Sequence, residues 1–445
     1  KSGNVKLEQL QLGKQQLSVK KPAFAETYRQ VTVGWGSNPI GDIGLIPVGS
    51  RYKFIVKDFV SGKPIVSAEA ISGDASATAN KKGEIVLVVA DQNESEVNIK
   101  INAAGYRSEK IKLEVGSKGL HRINLAPAKK HAFVSKRSGK YDLYKIDIDG
   151  KNEEMILAGT GSESESTTVI LPNKDNNLIA FVSTRGDQRD QDGYALSNLM
   201  IIDLTTGSVE TIDHSQRLQL LSFAANELVY VRIAEGEEDD SPKRHQLISY
   251  DTDTKQQNTL AQANYFNDAL VADGAIYYAP AKFGKNTKAG LFKVNPDGSN
   301  KTTVYDKETW SLFRVAYDKL NTAVGQDWFE YNLFSGTFNP LSGAPPDQQS
   351  RIYVADPLGD KSAWVDSRDG KGVLIVYDTA SGQDTVIQTQ GGLSNPISWL
   401  DNDHLVYRVT NSSETADYVI SLSGGDPKKI RDVTNTAGLD RWYYY

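Results

Sequence analysis

The sequence predicts an all-β protein in which N-terminal β-sandwich modules precede a seven-bladed β-propeller closed by a C-terminal strand. An apolar, Tyr-rich strand that ends in an Asp- or Gly-bearing turn recurs seven times between Leu143 and Gly425. The copies lie roughly 37 to 57 residues apart, the length expected of one four-stranded blade. The 445-residue composition agrees, because 37 Gly and 21 Tyr suit tight turns and pleated faces.

The N-terminal part contains a different repeat, in which Lys21–Val48 aligns with Ala103–Ala128. Three pairs of residues occupy matching positions: Phe24 and Tyr106, Leu45 and Leu125, Pro47 and Pro127. Two related β-modules are therefore predicted. One is a partial module at residues 1–49, and the other is a complete module at residues 50–129.

The complete module shows the alternation of half-buried strands, since Val97, Ile99 and Ile101 fall on one face and polar residues on the other. Its Asp58, Gly62, Pro64, Ile65, Ala68, Thr78, Gly83, Gly105 and Tyr106 follow the pattern D..SGKPI..A, T...G....L and GY. In this pattern residues 50–129 resemble the carboxypeptidase-regulatory-like and PEGA-type domains, which are small β-sandwiches. Residues 1–48 match only the later part of such a domain, so we expect the sequence to begin inside one.

The propeller is predicted to span residues 130–445, and its second blade shows the strand pattern best. The four strands expected there are Thr167–Asn173, Asn177–Arg185, Asn198–Gly207 and Ser208–His214. The first blade has only its second, third and fourth strands, and Leu439–Tyr445 supplies the missing innermost one. This closure leaves no open sheet edge. Seven blades are counted, with six as the alternative because the fifth copy is short.

The segments HAFVSKRSGKYDLYKIDIDG (131–150) and IAFVSTR with LMIIDLTTG (179–207) resemble the TolB-like propeller repeat. The SPDG turn common in that family is replaced here by sequences such as NKDNN and LDND. The resemblance implies a rigid platform for protein contacts, or an accessory propeller beside an enzyme.

Charge and composition exclude several classes of partner. The net charge of −6 provides no basic surface for nucleic acid, and the absence of Cys removes disulfides and thiolate metal sites. The longest apolar runs are far shorter than the ~20 residues that span a bilayer. We expect an exported protein, periplasmic or on the cell surface, that reaches a membrane only through an anchor absent from this sequence.

The Asp-rich stretches offer the oxygen ligands that calcium prefers, and the best of them contains Asp187, Asp190 and Asp192. None has the spacing of an EF-hand loop. Asp also favours tight turns, so a turn is the preferred interpretation and calcium the alternative. The five His are scattered, and no catalytic or nucleotide-binding signature occurs. The sequence therefore predicts no metal, no cofactor and no enzymatic activity.

Five of the six Trp residues fall in the propeller, where burial between blades is their simplest role. Trp310 and Trp442 stand at or near innermost strands and are the candidates for ligand binding at the channel mouth. The charged run Glu235–His245 is expected to be a solvated loop within the third blade.

The predicted function is non-catalytic binding or scaffolding at the cell envelope or surface. The sandwich modules would act as a spacer, and the propeller would present one face to a protein or a wall polysaccharide. The alternative is an enzyme that processes polysaccharide or peptide in the channel. A pocket that held two carboxylates, or a carboxylate with His, would favour that alternative. A third hypothesis is a subunit of an envelope assembly.

Overall fold

The computed structural model describes residues 5–90, 95–173, 176–283, 285, 288–343, 353–356, 360–433 and 441–444, the last four by backbone alone. Every regular element in these residues is a β-strand, so the protein is all-β. No helix that could cross a membrane is found in the described ranges. The chain divides into two compact units: Lys1–Lys129 with Gly424–Asp426, and Lys130–Ser423 with Pro427–Tyr445.

The N-terminal unit contains nine strands. They are β1 (Gly13–Val19), β2 (Thr27–Val33), β3 (Ser50–Asp58), β4 (Glu69–Ser72), β5 (Ala75–Thr78), β6 (Glu84–Val89), β7 (Glu96–Asn102), β8 (Glu109–Glu114) and β9 (Leu120–Leu125). Strands β1 and β2 form a hairpin, and the others form a three-stranded sheet, β6-β3-β9, and a four-stranded sheet, β5-β4-β7-β8.

These two larger sheets share one hydrophobic core. Phe54 of β3 and Leu87 of β6 pack in the same cluster as Ile99 and Ile101 of β7. Burial alternates along β7, as the sequence pattern predicts. Gly83 is required where the chain enters β6 beside β3, because its φ is 74° and an added Cβ would lie 2.4 Å from the carbonyl oxygen of Val56.

The internal repeat of this unit is visible in its backbone hydrogen bonds. Phe24 forms an isolated bridge with Pro47, and Tyr106 forms the same bridge with Pro127. The flanking bonds match as well: Ala25 N to Ile46 O (2.8 Å) and Arg107 N to Ala126 O (2.9 Å), Val48 N to Ala23 O (2.9 Å) and Ala128 N to Gly105 O (2.9 Å). In residues 5–48, however, no described residue is fully buried.

The second unit contains strands β10–β37. They are β10 (Lys130–Ser135), β11 (Asp142–Asp147), β12 (Glu154–Leu157), β13 (Val169–Pro172), β14 (Leu178–Ser183), β15 (Ser197–Asp203), β16 (Val209–Ser215), β17 (Leu218–Ala224), β18 (Glu227–Ile233), β19 (His245–Asp251), β20 (Gln257–Ala263), β21 (Phe266–Ala272), β22 (Ala275–Pro280), β23 (Leu291–Val294), β24 (Thr302–Tyr305), β25 (Ser311–Ala316), β26 (Lys319–Val324), β27 (Asp327–Asn332), β28 (Phe338–Leu341), β29 (Val354–Ala355), β30 (Lys361–Arg368), β31 (Lys371–Asp378), β32 (Gln383–Thr389), β33 (Leu393–Trp399), β34 (His404–Thr410), β35 (Thr415–Ser421), β36 (Lys428–Asp432) and β37 (Arg441–Tyr444).

Within the described residues, these strands form seven four-stranded antiparallel sheets. Six consist of four consecutive strands, and the innermost strands of neighbouring sheets contact each other along β13, β17, β21 and β25. This succession of packed four-stranded meanders is a β-propeller. The strands that the sequence predicts for the second blade correspond to β13–β16.

The C-terminal strand closes the array. The first sheet has the order β12-β11-β10-β37, and Phe133 of β10 pairs with Trp442 of β37. Strand β37 also contacts β13 on one side and β33 on the other, so it links the first blade to its two neighbours. The pairing predicted from the sequence is observed, and β10 has no free edge.

Candidate functional site

One end of the propeller is defined by the connections into each innermost strand and the loops between second and third strands. Antiparallel order places both kinds of connection at the same end of every blade. We call this end the cavity face. Around the third and fourth blades its described residues are 216–217, 234–244, 264–265, 281–283, 285, 288–290 and 306–310.

A cavity of about 190 Å³ opens on the cavity face between the innermost strands β17 and β21. Eleven residues line it: Arg217, Gln219, Val231, Arg232, Ile233, His245, Tyr265, Phe266, Asn267, Asp268 and Ala269. The lining is mainly polar and contains two guanidinium groups, one imidazole and one carboxylate.

Arg232 is held in place by a network behind the cavity wall. Its Nη1 donates to both carboxylate oxygens of Asp213 (2.8 and 2.9 Å), and its Nε donates to Gln246 Oε1 (2.9 Å). The Asp213 carboxylate also accepts a hydrogen bond from the Tyr230 hydroxyl (2.6 Å). These contacts orient the guanidinium and leave its Nη2 without a bonded partner among the described residues.

Arg217 differs from Arg232 because its guanidinium has no hydrogen bond or ion pair with any residue that the structure describes. Its side chain is exposed at the start of β17, where Ile233 N donates to its carbonyl oxygen (3.3 Å). The cavity therefore presents one anchored guanidinium group and one that is available to a ligand.

His245 is buried at the cavity wall, at the start of β19. Its Nδ1 lies 2.5 Å from the carbonyl oxygen of Asn264, which fixes Nδ1 as the donor and leaves Nε2 unprotonated. Burial, together with Arg244 and Arg217, lowers the pKa of His245. The imidazole is therefore neutral at neutral pH, and the ring of Tyr265 packs against it edge-on at 5.3 Å.

The charged insertion next to His245 is more tightly held than a solvated loop. The buried Asn264 side chain donates to the carbonyl oxygens of Asp239 (2.6 Å) and Ser241 (3.1 Å). Every acidic side chain of the insertion has a partner: Glu235 with His214, Glu237 with Ser241, Glu238 and Asp240 with Lys285, and Asp239 with Arg244. The predicted loop is present, and its acidic side chains are paired while they stay exposed to solvent, Asp239 by 95% and Glu238 by 80%.

Asp268 supplies the one carboxylate of the lining. Its oxygens accept the backbone amides of Ala269 (2.8 Å) and Leu312 (2.8 Å), so it links β21 to β25. Burial raises its pKa. The adjacent Asn267 donates to the carbonyl oxygen of Thr309 (2.9 Å), which brings the segment before β25 against the cavity wall.

This segment carries Trp310, one of the two predicted ligand-binding residues. Its side chain is 60% exposed and does not line the cavity, but it follows Thr309 directly. Two other aromatic side chains are exposed nearby, Tyr265 (42%) and Phe283 (65%). Their segments are joined, because Ala281 N donates to Tyr265 O (2.9 Å) and Lys282 N to Glu308 Oε1 (2.7 Å). We call Tyr265, Phe283 and Trp310 the aromatic rim.

Trp442, the second predicted residue, lies on the closing strand β37, and its side chain is outside the described residues. A shared ligand site formed by Trp310 and Trp442 therefore stays a prediction. Trp364 and Trp399 are buried, which is the simpler role expected for propeller Trp.

The loop with Asp187, Asp190 and Asp192 forms a tight turn on the cavity face. Asp187 adopts a φ of 50°, and Asp190 Oδ1 accepts the amides of Asp192 (3.0 Å) and Tyr194 (2.8 Å). Asp190 also accepts a hydrogen bond from Gln216, next to Arg217. Nowhere in the described ranges are three or more metal-binding side chains grouped. The calcium alternative for this loop stays a prediction.

Sequence reasoning missed Arg217, Arg232, His245 and Asp268. They lie at or near the cavity-face ends of four different strands, β17, β18, β19 and β21, and follow no motif. An alignment of the blades could have found Arg217, because the residues that directly precede each innermost strand all lie on the cavity face of the propeller.

No family model matches the sequence, and no curated protein matches it. Among solved structures, the chain is similar to an oligogalacturonate lyase from Vibrio parahaemolyticus (15% identity, 66% of this chain and 86% of that one, TM-score 0.43). It is also similar to the β-propeller domain of the Trilobed protease from Pyrococcus furiosus (11% identity, 78% of this chain and 95% of that one, TM-score 0.44). A third similar structure is TolB from Acinetobacter baumannii (13% identity, 68% of this chain and 79% of that one, TM-score 0.34).

Proposed function

We propose that this protein is a non-catalytic binding protein of the cell envelope or surface, and that its cavity face contacts a wall polymer. In this proposal the seven four-stranded sheets are the seven blades of one ring. Residues 50–129 act as a β-sandwich spacer of the carboxypeptidase-regulatory-like type, residues 1–49 belong to a related module, and the protein is exported.

The aromatic rim beside the cavity carries the proposal. Three large apolar side chains stay exposed on three connections that hydrogen bonds hold together, while Trp364 and Trp399 are buried. Flat exposed rings around a polar depression suit the stacking and hydrogen bonding by which proteins hold sugars. A rigid propeller keeps such loops in a fixed arrangement.

The test is co-sedimentation of the full chain with insoluble wall polysaccharides, combined with a glycan array. We expect binding that falls at least tenfold in Trp310→Ala and Tyr265→Ala. Phe334→Ala is the matched control, because Phe334 is 58% exposed but lies between β27 and β28, at the opposite end of the blade. Equal loss in Phe334→Ala, or no binding to any polysaccharide, would contradict the proposal.

The enzyme remains a second candidate because the cavity contains a carboxylate and a His. His245 Nε2 is unprotonated and could act as a general base. Burial raises the pKa of the Asp268 carboxyl, which suits a general acid. Both side chains also have structural bonds, which favours binding over catalysis. New reducing ends or peptide termini released by the wild type, and abolished in His245→Asn, would establish the enzyme instead.

A further inference from the structure

We infer that the cavity receives the carboxylate of an acidic sugar unit, so that the polymer held by the cavity face is a uronic-acid polysaccharide. This inference rests on the proposed binding function and names the ligand class of the same site. It follows from the two guanidinium groups, the size of the cavity and the aromatic rim.

The guanidinium groups determine the charge of the ligand. Arg217 has no partner in the described structure, and Arg232 is oriented by Asp213 and Gln246 with Nη2 left over. A guanidinium presents parallel N–H donors that match the two oxygens of a carboxylate. Because the net charge of the protein is −6, an unpaired Arg at a cavity is not part of a general basic surface.

The carboxylates nearest the cavity are bonded to other groups, so none of them occupies the guanidinium of Arg217 in the described structure. Asp213 bonds to Arg232 from behind the wall, and both oxygens of Asp268 accept backbone amides. The carboxylates of the 235–240 insertion are engaged with their own partners, as described above. Among the described residues, the guanidinium of Arg217 and the Nη2 of Arg232 are therefore the donors of the lining that are available to a ligand.

The size of the cavity limits what enters it. Its volume of about 190 Å³ is below the roughly 300–1,000 Å³ of sites that enclose a drug-sized ligand. One sugar unit or its carboxylate fits, and the rest of the polymer must lie outside. The aromatic rim lies on the adjacent connections, where neighbouring sugar rings can stack.

The experiment is calorimetric titration of the full chain with hexasaccharides of alginate and glucuronan, each compared with its carboxyl-reduced counterpart. The reduced sugars keep the same linkages and carry a neutral primary alcohol in place of each carboxylate. We expect the acidic hexasaccharides to bind at least tenfold more tightly. Arg217→Ala should remove most of this difference, and Arg217→Lys should restore part of it.

Lys243→Ala is the matched control, because Lys243 is an exposed cation two residues from His245 that does not line the cavity. We expect it to change affinity less than twofold, and all variants to keep the wild-type melting temperature. Equal affinity for acidic and reduced sugars, or equal weakening by Lys243→Ala, would overturn the inference. So would tighter Arg217-dependent binding of hexaglutamate, which would indicate an acidic peptide.

The two proposals fail differently. If neutral sugars bind and Trp310→Ala abolishes that binding while Arg217→Ala does not, the binding function stands and the acidic ligand is wrong. If no sugar or wall polymer binds at all, both are wrong.

Discussion

The imidazole Nε2 of His131 lies 3.2 Å from the carboxylate Oδ2 of Asp417, 286 residues further along the chain. His131 is on β10 of the first blade and Asp417 on β35 of the last, and both are fully buried. Arg408 Nε (2.7 Å) and Arg431 Nε (2.9 Å) donate to the same carboxylate. The guanidinium of Arg431 also lies 3.7 Å from the centre of the Phe133 ring. Buried charge thus joins the first and last blades, between which β37 pairs with β10 and contacts β33.

Asp417→Asn should destabilise the propeller strongly. Removing the carboxylate takes away the buried negative charge that both guanidinium groups share, and breaking a buried ion pair costs roughly 3–5 kcal/mol. Chemical denaturation measures the free energy of unfolding. The control is Glu210→Gln, which breaks the exposed ion pair with Lys255 (2.7 Å) and should cost at most about 1 kcal/mol. Similar losses in both variants would contradict a structural role for the buried network.

The stability of the propeller should fall as the pH drops from 6.5 to 4. Burial, with Arg431 and Arg408 nearby, lowers the pKa of His131 from 6.5 to about 4, against the opposite effect of Asp417. Between these values the unfolded chain binds the proton and the folded protein does not, so acid favours unfolding by up to about 3 kcal/mol.

The measurement is the free energy of unfolding against pH for the wild type and His131→Gln. Between pH 6.5 and 4, the free energy of unfolding of His131→Gln should no longer fall with pH, whatever the absolute stability of the variant. The pKa of Asp417 lies below its ordinary value, because His131 and Arg408 stabilise the carboxylate against the effect of burial. Its contribution is therefore lost only when the pH falls below about 4. An unchanged slope in His131→Gln would show that other groups control the acid sensitivity.

Ending the chain at residue 440 should open the propeller. The backbone groups of β10 that pair with β37 would become an exposed sheet edge, a template for association with other chains. We expect a lower melting temperature and light scattering that rises with protein concentration. Removing Tyr445 alone keeps β37 and should have little effect. If the chain that ends at residue 440 melted at the wild-type temperature, closure by this strand would be contradicted.

Asn264→Ala should release the charged insertion. The side-chain amide bonds to two carbonyl oxygens of the insertion, and losing a buried donor of this kind costs roughly 1–3 kcal/mol. Hydrogen exchange should become faster in residues 235–244 and stay unchanged in the first blade. Lys243→Ala, on the surface of the same loop, should leave the exchange pattern as it is. Protection equal to the wild type in Asn264→Ala would mean that the ion pairs alone hold the loop.

Deleting residues 1–48 should change the stability of the remaining protein by less than about 1 kcal/mol, because no described residue of 5–48 is fully buried. Deleting residues 1–58 removes β3 as well, with Tyr52 and Phe54 of the shared core, and should unfold the first unit. Circular dichroism melting of the two truncated chains distinguishes these outcomes. A large loss in the shorter deletion would show that the first module supports the rest.

Much of the fold could be predicted because the determining signals are local. Alternation placed β7 and β8, the blade repeat placed β13–β16, and the match of Phe24 with Tyr106 anticipated two identical bridge patterns. Trp310 was selected for its position before an innermost strand, and it is exposed beside the cavity. Trp442 is a candidate because it lies within the predicted closing strand, and its use in a site depends on side-chain geometry that no strand pattern contains.

By itself the sequence determined the all-β class and the repeated blades, since strand period and turn chemistry act between near neighbours. It also determined the pairing of the tail with the first sheet, because the first blade lacks an innermost strand and the tail supplies one. Only the tertiary structure decided where the chemistry lies. Arg217 and Asp268 are 51 positions apart and meet at one cavity because two blades pack with their innermost strands adjacent. The same packing buries His131 against Asp417. Side chains from distant blades interact only after the ring has formed, so no local pattern in the chain records their meeting.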